Sequence, residues 1–332
     1  MRMIKRHSVL RFWLNTVMIA CTSSQPYKCG KSSHNEYNTR MLGGAEVNPA
    51  HSQPWVVRLG RCCQCTGTLI SERHILTAAH CELFVNPFVA TLGDYDARKT
   101  EIGEVTINIK TRKKHPLYWL EGDTAGYDFA VWTLEEPIQF SETIQPVCLP
   151  SSANESYSGS QVLNSGWGKS VWKEGDSEPS YDYWNQVLRT TNLTVFSMND
   201  CKHTEWLSNR LNKITTPGRD VDDTMMVCAG VPPNDVTNQW IGPNKGDSGG
   251  NNNSNDWFCK FGFLLHETVI IKNSLFLIGP LVVKNSDSGA FTIIGVTCDA
   301  PYKWEQYRSG PYATYSRVSA VLPWIYETMK MN

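Results

Sequence analysis

The hydrophobic residues between Trp55 and Ile109 fall in short runs, Trp55–Leu59, Thr68–Ile70, His74–Thr77, Phe88–Leu92 and Val105–Ile109, separated by turn-forming residues. Runs of this length and spacing read as strands of a small barrel rather than as helices. With 332 residues, the chain holds either two average domains or one large all-β domain of paired barrels, and it buries a sizeable core in both cases.

A formal net charge of −1 offers a polyanion little to bind, which argues against nucleic acid as a partner. Eleven cysteines are unusual for a reducing cytosol and point to an oxidising compartment with disulfides. The amino-terminal residues agree. Arg2, Lys5, Arg6 and Arg11 precede a short apolar run from Phe12 to Cys21 that Asn15 and Thr16 interrupt. This is the layout of a secretory signal peptide over residues 1–21, too short for a comfortable membrane span; a retained membrane-anchoring helix is the alternative. A polar segment containing Cys29 follows. The expectation is a secreted, extracellular chain with no membrane partner.

Chemistry concentrates in Gly246-Asp247-Ser248-Gly249-Gly250. A serine hydroxyl is inert at neutral pH unless a base takes its proton and fixed donors meet the oxyanion formed on attack. Glycines around Ser248 let the backbone N–H groups of Gly246 and Ser248 turn inward unobstructed. Asp247, a carboxylate beside such a site, needs a cation. Alone, the five residues also fit an ordinary surface turn, so the rest of the chain must decide. A base is available in Thr77-Ala78-Ala79-His80-Cys81, where small residues ahead of His80 let its ring approach the backbone; a lone histidine is otherwise more often structural. Asp128, embedded in Tyr127-Asp128-Phe129-Ala130-Val131, either takes a histidine N–H as its partner or caps local backbone. At Arg40-Met41-Leu42-Gly43-Gly44, cleavage after Arg40 would free a Met41 ammonium, the cation that Asp247 lacks. Standing alone, the stretch reads as an ordinary arginine in a flexible loop.

In this order the motifs resemble those of the chymotrypsin-like (trypsin-fold) serine proteases. Ile144-Gln145-Pro146-Val147-Cys148-Leu149-Pro150, Gly166-Trp167-Gly168 and Tyr315-Ser316-Arg317-Val318-Ser319 extend the likeness from Arg40 to the C-terminal segment. The resemblance implies an all-β fold of two perpendicular six-stranded antiparallel β-barrels with a short C-terminal helix. His80, Asp128 and Ser248 would lie in the cleft between the barrels as base, orienting acid and nucleophile, with the N–H groups of Gly246 and Ser248 as the oxyanion hole. It implies a secreted serine endopeptidase that hydrolyses peptide bonds through an acyl-enzyme. Its parts would be a signal peptide over 1–21, a propeptide over 22–40 and a protease domain over 41–332, forming a zymogen that an upstream trypsin-like protease cuts after Arg40. Partners would be protein or peptide substrates and protein inhibitors; neither cofactor nor metal is expected. The likeness further implies the disulfides Cys65 with Cys81, Cys201 with Cys228, and Cys29 with Cys148, the last tethering the propeptide. Cys62, Cys63, Cys259 and Cys298 are left unassigned. The short propeptide is similar to that of arthropod extracellular cascade proteases. Asn154-Glu155-Ser156 and Asn192-Leu193-Thr194 are N-glycan acceptor sequences.

The chain departs from the family pattern in its second half. Gly242, six residues before Ser248, stands at the pocket floor where trypsin-like members carry an aspartate, so an apolar or small side chain is the expected preference. Asn244 replaces the cysteine that braces this pocket, and Cys298 and Asp299 replace the first two residues of the family's Ser-Trp-Gly strand. After Gly250, residues 251–279 interrupt the pattern, which Pro280-Leu281-Val282-Val283 resumes. The insertion reads either as a lid or regulatory loop or as a retained intron. It also sustains a second functional reading, a catalytically impaired protease-like regulatory binding protein, against which stands the complete triad. An esterase on an α/β-hydrolase sheet fits poorly, since that architecture orders nucleophile, acid and histidine differently.

Overall fold

A computed structural model describes residues 28–32, 45–60, 65–83, 85–118, 126–167, 187–202, 223–230, 279–299 and 312–331. Among these the chain forms strands β1 (Ala45–Glu46), β2 (Val56–Leu59), β3 (Cys65–Leu69), β4 (His74–Thr77), β5 (Val89–Leu92), β6 (Val105–Lys114) and β7 (Ala130–Leu134). It continues with β8 (Gln161–Gly166), β9 (Arg189–Phe196), β10 (Met226–Gly230), β11 (Pro280–Lys284), β12 (Phe291–Asp299) and β13 (Tyr312–Arg317), and ends in a helix over Leu322–Lys330.

The strands close into two six-stranded antiparallel barrels. The first runs β2-β3-β4-β7-β6-β5 and back to β2. The second runs β8-β9-β10-β13-β12-β11 and back to β8, with β1 paired to the first two residues of β9. Closure leaves no unpaired edge within either barrel, so short strands that would be marginal in an open sheet are held on both sides. Each apolar run of the first half becomes a strand for this reason. β6 extends beyond its apolar run, because the backbone of Thr111–Lys114 pairs with β7 after a shift in register past Ile109. Pairing by main chain does not require apolar side chains, so the polar stretch gave no sign of it.

One hydrophobic cluster fills the first barrel and continues into the second. Trp55 and Phe291, both buried, face each other across the junction with ring centroids 5.0 Å apart. The connecting segment is stitched to both barrels: Val147 N–H donates to Leu69 O at 3.0 Å, and Cys148 N–H to Phe291 O at 3.0 Å. Residues Cys29–Ser32 pack against this seam. Gly30 N–H donates to Pro146 O (2.7 Å), Phe291 N–H donates to Gly30 O (2.9 Å), and Cys29 is disulfide-bonded to Cys148. Gly30 takes a φ of +67°, and a Cβ there would sit 2.4 Å from Phe291 O, so only glycine fits. The C-terminal helix buries Leu322, Ile325 and Thr328, three residues apart on one face, with Pro323 in its first turn where a missing N–H costs nothing.

His74 opens β4 with a buried ring whose Nδ1 lies 2.7 Å from Ser71 Oγ. Burial first, and the charge of Arg73 second, push its pKa down to about 4. A free histidine titrates near 6.5, so on acidification the unfolded chain takes up the proton before the folded one does. The contribution to stability is whole above that value and is drawn down as the pH falls towards about 4. His115, whose pKa burial also lowers, adds to the same trend. We therefore expect the urea midpoint to fall through this window and the fall to be shallower in His74→Asn, which keeps an acceptor for Ser71 but does not titrate. Equal slopes in the two proteins would remove His74 as a cause.

Candidate active site

Register brings a histidine and an aspartate together at one rim of the first barrel. β4 and β7 run antiparallel with Thr77 opposite Ala130. His80, in the 3-10 turn Ala79–Leu83 that follows β4, and Asp128, just ahead of β7, therefore emerge side by side. His80 Nδ1 lies 2.5 Å from Asp128 Oδ2, and the His80 backbone N–H donates to Asp128 Oδ1 at 3.0 Å. Asp128 is 0% exposed and His80 3%. A carboxylate removed from water must be satisfied by donors, and here one histidine supplies two of them. The short contact requires the proton on Nδ1, since two acceptors at that separation would repel. Nε2 then carries the lone pair and is the atom that can take a proton from a hydroxyl.

Small residues and a disulfide make the turn possible. Ala78 and Ala79 are fully packed against their surroundings, and larger side chains there would lift the turn from the barrel. Cys81 is disulfide-bonded to Cys65 on β3, and Thr77 Oγ1 donates to Thr66 O at 3.1 Å. On the outer side, the Glu82 carboxylate meets Arg112 Nε at 3.1 Å and Lys114 Nζ at 2.8 Å on β6. The Arg112 guanidinium lies 3.4 Å over the Phe88 ring, whose edge meets Trp132. Half-exposed ion pairs of this kind contribute only about 0.2–1 kcal/mol, so their effect is to locate the turn more than to stabilise the fold. The approach to Asp128 is set by Gly126, with φ +84°, where a Cβ would meet Met225 O at 2.9 Å.

Of the other residues that the sequence singles out, Ser248, Gly246, Asp247, Gly242, Arg40 and Met41 lie outside the described residues, as do Cys62, Cys63 and Cys259. Cys201 and Cys228 are disulfide-bonded, and Cys298 is buried in the same small cluster with Met198, Met226 and Tyr312. Asn154 is exposed in a turn, whereas Asn192 is half-buried in β9. Glu82 in its turn, Arg112 on the polar end of β6 and His115 just after it carry no distinguishing pattern in the sequence. Their partners Phe88, Tyr127 and Trp324 become neighbours only through the barrel. Among the described residues, no helix is long and apolar enough to cross a membrane, and no group of three His, Cys, Asp or Glu side chains is arranged to hold a metal ion.

Comparison with known proteins adds to this geometry. The family model described as Trypsin matches residues 42–257, a span that contains His80, Asp128 and Ser248 and stops within the segment after Gly250. Ovochymase-2 of Mus musculus is 32% identical over 169 residues, covering 49% of this chain and 26% of that protein. Venom serine protease Bi-VSP of Bombus ignitus is 28% identical over 232 residues, covering 60% of each. The chain thus spans 26% and 60% of the lengths of these two relatives. Two closed antiparallel barrels, a buried histidine–aspartate pair at the rim of the first, and a family match across most of the chain agree on one assignment. The chain belongs to the Trypsin family, the chymotrypsin-like serine proteases.

Proposed function

We propose that the protein is a secreted serine endopeptidase in which Ser248 is the nucleophile, His80 the general base and Asp128 the residue that orients His80. The observation that carries this reading is the buried contact of His80 Nδ1 with Asp128 Oδ2 at 2.5 Å, which sets the tautomer that a base needs. Ser248 Oγ attacks the peptide carbonyl while its proton passes to His80 Nε2. The N–H groups of Gly246 and Ser248 receive the developing oxyanion. His80 then returns the proton to the leaving amine, and water resolves the acyl-enzyme by the same steps in reverse order of roles. The substrate is a protein or peptide, and protein inhibitors of matching shape are further partners.

Residues 1–21 act as the signal peptide and 22–40 as the propeptide, so that the secreted chain is a zymogen. Cleavage after Arg40 by a trypsin-like protease frees the Met41 ammonium to pair with Asp247. Docking of Cys29–Ser32 on the barrel seam and the Cys29–Cys148 disulfide support a propeptide that stays attached after the cut. Asn154 and Asn192 are the proposed glycan acceptors; the exposed turn of Asn154 favours it as the more accessible of the two. A fluorophosphonate probe tests the whole reading. It is expected to label the protein treated with the activating protease but neither Ser248→Ala nor Arg40→Gln treated in the same way, and turnover is expected to drop on the order of 10⁶-fold in Ser248→Ala. Labelling of Ser248→Ala sinks the nucleophile assignment, and full labelling of Arg40→Gln sinks the activation switch.

Gly242 at the pocket floor leaves no carboxylate for a basic side chain at that position. We expect the activated enzyme, profiled on a peptide library, to cut after apolar residues in preference to Arg or Lys. Dominant cleavage after Arg or Lys would transfer the pocket's charge to another acid such as Asp299.

Residues 251–279 are proposed to be a retained intron in the translated sequence. Removing them joins Gly250 to Pro280 and yields Gly-Asp-Ser-Gly-Gly-Pro-Leu-Val-Val without interruption. The segment is rich in Asn, Ile, Leu, Phe and Lys, whose codons are AT-rich, and its edges accommodate splice dinucleotides. The junction itself supports the proposal. Pro280 starts β11 between β8 and β12, and a Cβ on Gly279 would lie 2.2 Å from Ser165 O. Thr297 Oγ1 donates to Gly279 O at 2.9 Å. This position demands glycine, and deletion of 251–279 brings another glycine, Gly250, to it. The form lacking 251–279 is expected to fold and to turn over substrate at least tenfold faster than the full chain, since a displacement of about 1 Å near the nucleophile costs roughly 100-fold. Higher activity in the full chain, with transcripts that all keep the segment, would defeat the proposal and favour a lid.

A further inference from the structure

The carboxyl-terminal end of β6 grips both sides of the His80–Asp128 pair. Lys114 reaches the turn of His80 through Glu82. The next residue, His115, reaches the turn of Asp128. Its backbone N–H donates to Phe129 O at 2.8 Å, and Phe129 N–H donates to Tyr127 O at 2.7 Å, so Asp128 sits at the apex of a three-residue turn whose far end is tied to His115. The His115 ring is stacked on Tyr127, with centroids 4.8 Å apart and planes 18° from parallel. Against Trp324 of the C-terminal helix it packs edge-on, again at 4.8 Å and with planes at 66°. The Leu117 N–H lies 3.3 Å from its Nδ1 and donates to it. His115 is 7% exposed, and burial disfavours its protonated form, so the wedge is a neutral aromatic plate at neutral pH.

We propose that His115 is a positioning residue for the reaction: clamped between Tyr127 and Trp324, it fixes the turn that aims the Asp128 carboxylate at His80. This rests on the reading of His80 and Asp128 as base and orienting acid. Tyr127 is the residue immediately before Asp128, and Trp324 belongs to the last helix of the chain, so the wedge couples docking of that helix to the aim of the acid. The hydrogen bond at 2.5 Å leaves little room, because a displacement of the turn by a few tenths of an ångström either lengthens it or bends it away from line.

The experiment compares His115→Gln, which removes the plate, with His115→Phe, which keeps both ring contacts and loses the imidazole nitrogens. Two readouts are taken: the far-downfield proton NMR resonance of His80 Nδ1–H, and kcat and KM normalised to sites titrated by a fluorophosphonate. His115→Gln is expected to move the resonance upfield and to lower kcat about tenfold or more with KM within about twofold, the pattern of a misaligned catalytic group. His115→Phe is expected to restore the resonance and to recover kcat to within about threefold, since an aromatic ring supplies the same contacts. An unmoved resonance and an unchanged kcat in His115→Gln, with only the melting temperature lowered, would show that the residue is packing alone. Impairment in His115→Phe equal to that in His115→Gln would overturn the wedge. Should His115→Gln fail to fold, Trp324→Leu removes the opposite jaw and is expected to shift the resonance in the same direction; no shift there also overturns the proposal. If the wild-type protein neither labels nor hydrolyses, the protease reading falls, while the resonance in the same samples still decides whether His115 aims Asp128.

Discussion

A carboxylate with no contact with water is the constraint around which this molecule is arranged. Asp128 lies at the base of the rim between two barrel strands, and it is tolerable there because a backbone N–H and a ring N–H of one residue, His80, converge on its two oxygens. That convergence needs the pairing of β4 with β7 in one register, a tight turn after Thr77 with room only for alanines, and an approach through glycine at Gly126. Displacing the register by one residue would turn the side chains of β4 to the other face and separate the pair. Barrel closure and the site chemistry are therefore one requirement seen at two scales.

The same logic explains which parts could be read from the sequence. The strands of the first barrel were legible because their apolar side chains had to be buried, and burial leaves a period in the chain. The polar end of β6 was not, because its pairing is made by backbone groups that every residue carries. His80 and Asp128 were legible as a constellation and weak as individuals. Each has a bland alternative alone, and only the family order of the motifs removed it. The three disulfides seen among the described residues follow from the likeness and not from spacing, since eleven cysteines admit many pairings. His115 was illegible for a different reason. Its meaning lies in Tyr127 and Trp324, and aromatic contacts across separate elements leave no pattern in the local sequence.

The seam between the barrels shows how a segment from before the first strand becomes part of the fold. Cys29–Ser32 adds backbone hydrogen bonds to Pro146 and Phe291 and a covalent link to Cys148. These contacts sit on the same strand start, Phe291, that packs against Trp55 across the junction. A chain cut between this segment and β1 would keep it bound through the disulfide. The seam would then be common to both forms, because the contacts that make it lie on residues 29–32 and on the barrels.

The demand for glycine ahead of Pro280 has a consequence for how this region tolerates change. The steric limit at Gly279 is set by one carbonyl oxygen, that of Ser165, and concerns a single missing methyl group. At this boundary the steric requirement falls on one residue, so Gly279, or Gly250 brought there by deletion of 251–279, meets it alike, whereas a single alanine would not.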